Sequence, residues 1–264
     1  MVLVDESLAQ GLTPMPVYPD TADARGVSLE RIYECHARIQ STELVSCEFG
    51  PEDAERTIVL AGSSHAIHWM EGLREVTENN GWRLVTLTKD ICQFSTAVAM
   101  NRDEVYTECE EWKPQQMERI IELEPDAVFT TSTRSVAQPE EEYVPEGYVD
   151  RWREMDELGI EVIAVRDTPR FDFLAPDCVD RNGPAGCTVD IGYGLADSSP
   201  VLEIEDLPGN VHHIDLNDDL CSDGICSAVI GNQLGYYDNS HFTYSFSRSL
   251  AGLLEREFRE TVGW

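Results

Sequence analysis

The stretch Thr57-Ile-Val-Leu-Ala-Gly-Ser-Ser-His-Ala66 (TIVLAGSSHA) decides how this chain folds. Its first six residues form a short, apolar and β-branched run, which is typical of a strand buried inside a sheet. Glycine and small residues follow, and apolar side chains then recur at helical spacing over residues 67–77. The stretch therefore predicts a buried strand that passes through a tight turn directly into a helix.

The same alternation of strand and helix continues along the chain. Helical patterns cover residues 114–123 and 147–158, and a closing helix is predicted over 243–258. Buried strands are predicted at 57–62, 83–88, 126–131, 160–165 and 211–214. Strands that alternate with helices indicate parallel βαβ units. The sequence thus predicts a three-layer α/β/α sandwich with a central parallel sheet of about five strands.

The chain is expected to form one domain, preceded by an extension. Residues 1–50 look irregular, with three early prolines and one short helical pattern over 29–40. We expect this segment to pack against a domain formed by residues 51–264. Within that domain, residues 168–208 are rich in Pro, Gly, Asp and Cys, which predicts a long loop excursion stapled by disulfides.

Charge excludes one large class of partners. The chain has 50 acidic and 19 basic residues among 264, a formal net charge of −31. Such a surface repels polyphosphate, so binding to nucleic acid is excluded, and anionic membrane surfaces are disfavoured. The acidic runs at 108–111 and 140–142 are expected to be solvated surface.

Eight cysteines are too many for an ordinary cytosolic enzyme and imply either disulfides or metal sites. Their even number and the near absence of short zinc knuckles favour disulfides. Because the shortest loops are the easiest to close, we expect neighbours along the chain to pair. The expected pairs are Cys35–Cys47, Cys92–Cys109, Cys178–Cys187 and Cys221–Cys226. No cofactor and no metal site are expected.

Disulfides require an oxidising compartment, which the start of the sequence does not explain. The first twenty residues have no basic region and no apolar run of the kind that forms a signal peptide. We therefore expect a secreted or membrane-tethered domain, on the extracytoplasmic face of a cell membrane, whose targeting segment lies upstream of this chain.

The turn after the first strand holds a candidate nucleophile, Ser64. In open α/β sheets functional groups collect at the carboxyl ends of strands, and glycine at 62 permits a tight turn there. Backbone N–H groups of the first helical turn would face an oxyanion formed beside Ser64. The alternative is that serine here only caps the helix, which is a common role for it.

A second motif near the C-terminus supplies the partners that a catalytic serine needs. Asp238 and His241 lie three residues apart, directly before the closing helix. A neutral imidazole serves as the base for serine, and a carboxylate fixes its tautomer. The predicted catalytic triad is therefore Ser64, Asp238 and His241.

These motifs resemble the SGNH (GDSL-type) hydrolase superfamily, in which G-D-S follows the first strand and D-x-x-H precedes the last helix. The run Gly62-Ser-Ser-His-Ala66 is most similar to the G-D-S-H-A of SGNH domains fused to acyltransferase family three membrane proteins. The segment from Cys221 to Cys226, the segment 237–243 and Cys92 after the second strand resemble the same domains. The resemblance runs from about residue 58 to 258 and implies a flavodoxin-like SGNH fold.

The resemblance also implies a function and partners. In that family a membrane-embedded acyltransferase domain of the same polypeptide delivers acyl groups across the bilayer. The SGNH domain then handles acyl transfer, or ester hydrolysis, on cell-envelope glycans or glycolipids. Acetyl is the expected group because the sequence indicates no long-chain tunnel, and a trehalose mycolate is one conceivable acceptor.

Two departures from the family pattern bear on activity. Ser63 replaces the aspartate of G-D-S, and the usual asparagine donor after the third strand is missing. The oxyanion hole would then use the Ser64 N–H, with Thr131, Ser132 and Arg134 as further candidates by position. These departures keep a second function class open, namely a catalytically weak accessory module that presents the acceptor to the membrane domain.

The remaining histidines and tryptophans have weaker functional interpretations. His65 and His68 are spaced for a metal pair, but local hydrogen bonding beside the serine is the preferred interpretation. His212 and His213 must point to opposite faces of a strand, and one of them could approach the site. The five tryptophans could include a sugar platform, although packing in the core is the stronger expectation.

Overall fold

A computed structural model describes residues 16–138 and 141–264 of the chain. Predictions that concern residues 1–15 and the acidic residue at 140 lie outside the described part. The described strands are β1 (His36–Ala37), β2 (Glu48–Phe49), β3 (Thr57–Gly62), β4 (Arg83–Lys89), β5 (Met100–Asn101), β6 (Glu104–Val105), β7 (Ala127–Thr131), β8 (Glu161–Val165), β9 (Thr188–Asp190), β10 (Val211–Ile214), β11 (Cys221–Ser222), β12 (Ile225–Ser227), β13 (Val229–Ile230) and β14 (Gln233–Leu234).

Helices connect these strands and cover the sheet. The described α-helices are α1 (Thr21–Glu34), α2 (Ser64–Ile67), α3 (Met70–Asn80), α4 (Thr107–Leu123), α5 (Tyr148–Glu157), α6 (Ala175–Asn182), α7 (Asn217–Leu220), α8 (Tyr244–Ser249) and α9 (Ala251–Glu257). Among the described residues no helix combines the length and the apolar run needed to cross a bilayer.

The central sheet has the order β1-β4-β3-β7-β8-β10, with β2 also paired to β4. The five predicted strands are β3, β4, β7, β8 and β10, and they pair in parallel as expected. The chain moves from β3 to β4 on one side and then crosses to β7 on the other side. The carboxyl end of β3 is therefore the topological switch point, where α/β sheets form their binding crevice.

Two hydrophobic layers hold the sheet between helices. Alternate residues of β3 face opposite sides: Ile58 and Leu60 join the core under α3, α8 and α9, whereas Val59 and Ala61 join the core under α4 and α5. Side chains on a strand alternate with period two, so a strand covered on both faces must be apolar throughout. The predicted α/β/α sandwich is confirmed.

The segment before residue 51 is more ordered than its composition predicts. Its helix is α1, Thr21–Glu34, which begins earlier than the predicted 29–40 because Asp20 caps it by accepting the N–H of Ala22. The short strands β1 and β2 both pair with β4 at one edge of the main sheet. The division of the chain at residue 50 stays a prediction, and both sides of that boundary contribute strands to one sheet.

Two helices differ from their predicted extents. Helix α4 begins at Thr107, seven residues before the predicted start, so that Pro114 lies inside the helix rather than in its first turn. The additional turns carry Cys109 and Trp112, which are buried in a small core with Tyr106. The predicted closing helix is divided into α8 and α9, with Leu250 between them.

All eight cysteines form disulfides, in the four pairs expected from their spacing. The excursion over residues 168–208 contains α6 and β9, and β9 joins β11 and β12 in a small antiparallel sheet. Cys178–Cys187 lies within the excursion, and Cys221–Cys226 joins β11 to β12 in the small sheet that β9 enters. Disulfides thus anchor the part of the chain with the least regular structure, as predicted.

Removing two disulfides separately is expected to reveal their different loop lengths. Cys92–Cys109 spans 17 residues and Cys221–Cys226 spans five, and all four cysteines are buried. From chain entropy, replacing the first pair by alanine should lower the free energy of unfolding by about 3 kcal/mol, and replacing the second by about 2 kcal/mol. Urea unfolding under oxidising conditions measures both. Equal losses would contradict the dependence on loop length, and free thiols in the parent would contradict the four disulfides.

Candidate active site

Three distant side chains meet at the carboxyl end of β3. The Ser64 hydroxyl donates to His241 Nε2 over 2.9 Å, and His241 Nδ1 donates to Asp238 Oδ2 over 2.8 Å. Ser64 is the first residue of α2, while the other two lie in the loop before α8. The structure therefore brings together all three residues that the sequence predicts as a triad.

Gly62 makes the turn that presents Ser64. Its φ of +133° is a conformation that side chains rarely allow, and a Cβ there would approach the Cβ of Ala66 to 3.0 Å. Ser63 occupies the capping position, but its side chain makes no capping hydrogen bond. The Ser64 hydroxyl is directed to His241 instead of to the helix backbone. The interpretation of this turn as a simple cap thus finds no support.

Asp238 is held as an anion in a mostly buried position. Its Oδ1 accepts the backbone N–H groups of Ser240 and His241, at 2.9 and 2.8 Å, which leaves Oδ2 for the imidazole. Burial alone would raise the pKa of Asp238, but these hydrogen bonds and the His241 ring hold the pKa well below its ordinary value. The ionised carboxylate fixes the tautomer whose Nε2 lone pair faces Ser64.

The imidazole of His241 is confined between two aromatic rings. Tyr237 stacks on one side, with ring centroids 5.5 Å apart and planes 11° from parallel. His65 meets the ring edge-on at 4.4 Å. Because both neighbours restrict its rotation, His241 is positioned toward Ser64 by packing as well as by Asp238.

A second histidine–carboxylate pair lies beside the first. His65 Nδ1 is 2.6 Å from Asp167 Oδ1, and its Nε2 is 3.4 Å from the Ser240 hydroxyl. Asp167 also accepts from Ser135, through its N–H and its hydroxyl, and from the Thr168 N–H. Burial lowers the pKa of His65, while the pKa of Asp167 lies well below its ordinary value, because these donors outweigh the effect of its burial.

His65 therefore forms hydrogen bonds beside the serine, and its main partner lies in the loop after β8, more than a hundred residues away in the sequence. Asp167 is not among the residues predicted from the sequence. Its position two residues after the predicted strand 160–165 is the available signal, because functional groups collect at the ends of strands.

His68 has a packing role: it stacks on Phe242 at 4.4 Å, and its Nδ1 accepts the Phe242 N–H at 3.5 Å. Burial lowers the pKa of His68 well below its ordinary value.

A cavity of about 210 Å³ opens in front of Ser64. Two of the three further oxyanion candidates, Thr131 and Arg134, lie in its wall, whereas Ser132 does not. The Ser132 N–H donates to the Val165 carbonyl, and its hydroxyl lies 3.3 Å from His213 Nδ1, so both groups are engaged in the sheet. The cavity is lined by Ser63, Ser64, His65, Ile91, Gln93, Thr131, Thr133, Arg134, Tyr148, Asp167, Arg170, Asn239, Ser240 and His241.

The other residues considered from the sequence lie outside this cavity. His212 bonds to Glu161, and His213 faces Ser132. No tryptophan lines the cavity, and four of the five are buried.

The expectation of a solvated acidic run is wrong for Glu142. Its side chain is fully buried and pairs with Arg166 at 2.7 Å. It also accepts from the Thr133 hydroxyl and from the Ala196 N–H. A nearby guanidinium and hydrogen-bond donors together allow a carboxylate to leave solvent, which charge patterning in the sequence does not reveal.

Comparison with known proteins identifies the class of this domain. Residues 34–256 match the family model of the SGNH domain fused to AT3 domains. The chain belongs to this family, and is therefore a domain of the hydrolase and acyl-transfer class. No protein of curated function matches the sequence.

One solved structure shares the fold. The periplasmic domain of a lipopolysaccharide acetyltransferase from Salmonella ser. Paratyphi A has 14% identity and a TM-score of 0.60, over 93% of this chain and 96% of that one. A carbohydrate esterase family 2 enzyme with a carbohydrate binding domain, from Corynascus thermopiles, has 11% identity and a TM-score of 0.40, over 81% and 68% of the two chains. At this identity the first likeness shows a shared fold and nothing further.

Buried histidines should make stability depend on pH. Burial lowers the pKa values of His36, His65 and His68 in the folded chain. Unfolded, these groups titrate near 6.5, so their contribution is complete above that pH. As the pH falls from 6.5 toward the folded pKa values, the unfolded state binds more protons. The free energy of unfolding should then decrease by about 1.4 kcal/mol per pH unit for each group.

Urea unfolding between pH 7.5 and 5 measures this slope. His68→Gln removes one titrating group and should reduce the slope by one proton, whatever the stability of the variant at pH 7.5. A free energy of unfolding that stays constant from pH 7 to 5 would show that these histidines are not buried in neutral form.

Proposed function

We propose that this domain is a serine O-acyltransferase or esterase in which Ser64 is the nucleophile, His241 the general base and Asp238 the group that orients it. The observation that carries the proposal is the continuous hydrogen-bonded chain from Ser64 through His241 to Asp238. Hydrogen bonds of 2.9 and 2.8 Å suit proton transfer without rearrangement. Membership in the SGNH family supports the same class of chemistry.

The reaction proceeds in two half-reactions. Ser64 Oγ attacks the acyl carbon while its proton passes to His241 Nε2, and the tetrahedral intermediate collapses as His241 protonates the departing oxygen. An acyl ester on Ser64 remains. A hydroxyl of the acceptor, or water, then attacks this ester and gives its proton to His241. Collapse returns that proton to Ser64 and releases the new ester or the free acid.

The oxyanion is stabilised by groups at the start of α2 and in the cavity wall. Within the described chain, the Ser64 N–H has no hydrogen-bond acceptor, so it is free to donate. The Thr131 hydroxyl and the Arg134 guanidinium are the further candidates, since both line the cavity. We omit Ser132, whose N–H and hydroxyl are engaged elsewhere. Preorganised donors of this kind supply a large part of acyl-transfer catalysis.

The natural setting is the extracytoplasmic face of a membrane. Four disulfides are supportive, because they persist in oxidising compartments. The family is described as fused to AT3 domains, so we infer a membrane-embedded acyltransferase domain as partner, joined through an upstream segment. The acyl group is acetyl, in keeping with a cavity of about 210 Å³, and the acceptor is a cell-envelope glycan or glycolipid.

Removing Ser64 or His241 is expected to abolish covalent chemistry. A fluorophosphonate probe should label the parent domain at Ser64, and Ser64→Ala and His241→Ala should each remove nearly all labelling and ester turnover. The double variant should lose little more than either single one, since the residues act as one unit. Asp238→Asn should keep the fold and lower the rate about 10³–10⁴-fold through loss of the correct tautomer.

Labelling is followed by mass spectrometry, and folding is verified by circular dichroism. Arg181→Gln, an exposed surface change, is the control and should label like the parent. Full turnover without Ser64 would refute the nucleophile. If the parent neither labels nor turns over, and if Ser64→Ala leaves acylation by the membrane-fused protein unchanged, then the domain is an accessory module.

A further inference from the structure

Two arginines in the cavity wall have no acidic partner. Arg134, which is exposed, and Arg170, which is half-buried, both line the cavity that contains Ser64, and neither forms an ion pair with any described carboxylate. The Arg170 Nε is buried and has no hydrogen-bond partner among the described residues. A buried N–H of a cation that lacks an acceptor is costly, which indicates a position that a ligand fills.

Arginines without an ion pair are a minority in the described part of this strongly acidic chain. Fifty carboxylate side chains face 19 basic residues, and most arginines are neutralised. Arg38 and Arg56 instead lie over aromatic rings, and Arg25 and Arg102 are exposed and outside the cavity. The ion-paired arginines are Arg31, Arg74, Arg83, Arg119, Arg151, Arg153, Arg166, Arg181, Arg248, Arg256 and Arg259.

One carboxylate faces these two cations in the cavity lining. Its single acidic lining residue is Asp167, which is engaged by His65, Ser135 and Thr168. Burial is the main reason for the low pKa of His65, and the charge of Arg170 adds to it, so Arg170 lies within electrostatic reach of this histidine. With two guanidinium groups and one carboxylate, the lining carries a small positive excess, in a protein whose net charge otherwise repels anions.

The cavity borders a neighbouring one. Ile91, Gln93 and Arg134 line both it and a second cavity of about 270 Å³, so Arg134 stands where the two meet. Arg170 lines only the cavity with Ser64. A ligand held by both guanidinium groups would therefore span the space between the reacting serine and the entrance to the second cavity.

We propose that the acceptor carries an anionic group, a carboxylate or a phosphate, close to the hydroxyl that is acylated, and that Arg134 and Arg170 bind it. The planar guanidinium groups are suited to either anion because they donate two parallel hydrogen bonds. This inference rests on the proposed function for the identity of the site, and it specifies the class of acceptor. A neutral sugar would leave both cations unpaired.

Binding without acyl donor tests this inference independently of turnover. The ligands are methyl glucuronide, glucose 6-phosphate and the neutral methyl glucoside, titrated into the unmodified domain by calorimetry. At least one anionic sugar should bind about tenfold or more tightly than the neutral one, which is the size expected of one charge-assisted hydrogen bond. The tighter of the two anionic sugars assigns carboxylate or phosphate.

Substitutions test whether Arg134 and Arg170 cause the preference for anionic sugars. Arg170→Gln and Arg134→Gln should each reduce this preference, and the double variant should abolish it. Arg170→Lys, which keeps the charge, should retain more of the preference than Arg170→Gln. Arg181→Gln, which removes the same charge from an exposed position, should leave the preference intact. Equal or undetectable binding of all three sugars, or a preference that survives in the double variant, overturns the inference. These binding measurements do not depend on labelling of Ser64. A failure of the proposed function, seen as absent labelling, is therefore distinguished from a failure of this inference.

Discussion

Burial of β3 on both faces is the constraint on which the rest of the molecule depends. Its alternate side chains belong to different hydrophobic cores, so the strand cannot slip by one residue without exchanging them. This fixed register sets where β3 ends and hence where Gly62 turns. Because β4 and β7 lie on opposite sides of β3, the turn opens into a crevice. Ser64 is presented there as a consequence of core packing.

Charge organises the site in a protein with few cations. Asp238 and Asp167 are both mostly or fully buried anions, and each is satisfied by backbone N–H donors and one histidine. Such donors stabilise a carboxylate without requiring a lysine or an arginine. The guanidinium groups of Arg134 and Arg170 are thereby left without an internal partner. The arrangement is consistent with a site that keeps its positive charge for a ligand.

Much of this architecture follows from local sequence patterns, and the remainder depends on tertiary contacts. Four of the five main strands, all except β10, are predictable because they are apolar and β-branched runs, and the disulfide pairs because their loops are short. The edge strands β1 and β2 are not, since two residues show no periodicity. The three side chains that meet at the end of β3 are predictable from two short motifs. The pairing of His65 with Asp167, the burial of Glu142 and the turning of Ser132 into the sheet depend on residues far apart in sequence.

The central claim is that Ser64 carries the acyl group during the reaction. The most direct measurement is to expose the domain briefly to 4-nitrophenyl acetate, quench with acid and locate any acetyl group by peptide mass spectrometry. The account predicts acetyl on Ser64 in the parent and none on Ser64 in His241→Ala. Acetyl on a different residue alone, or equal acetylation of Ser64 without His241, would contradict it.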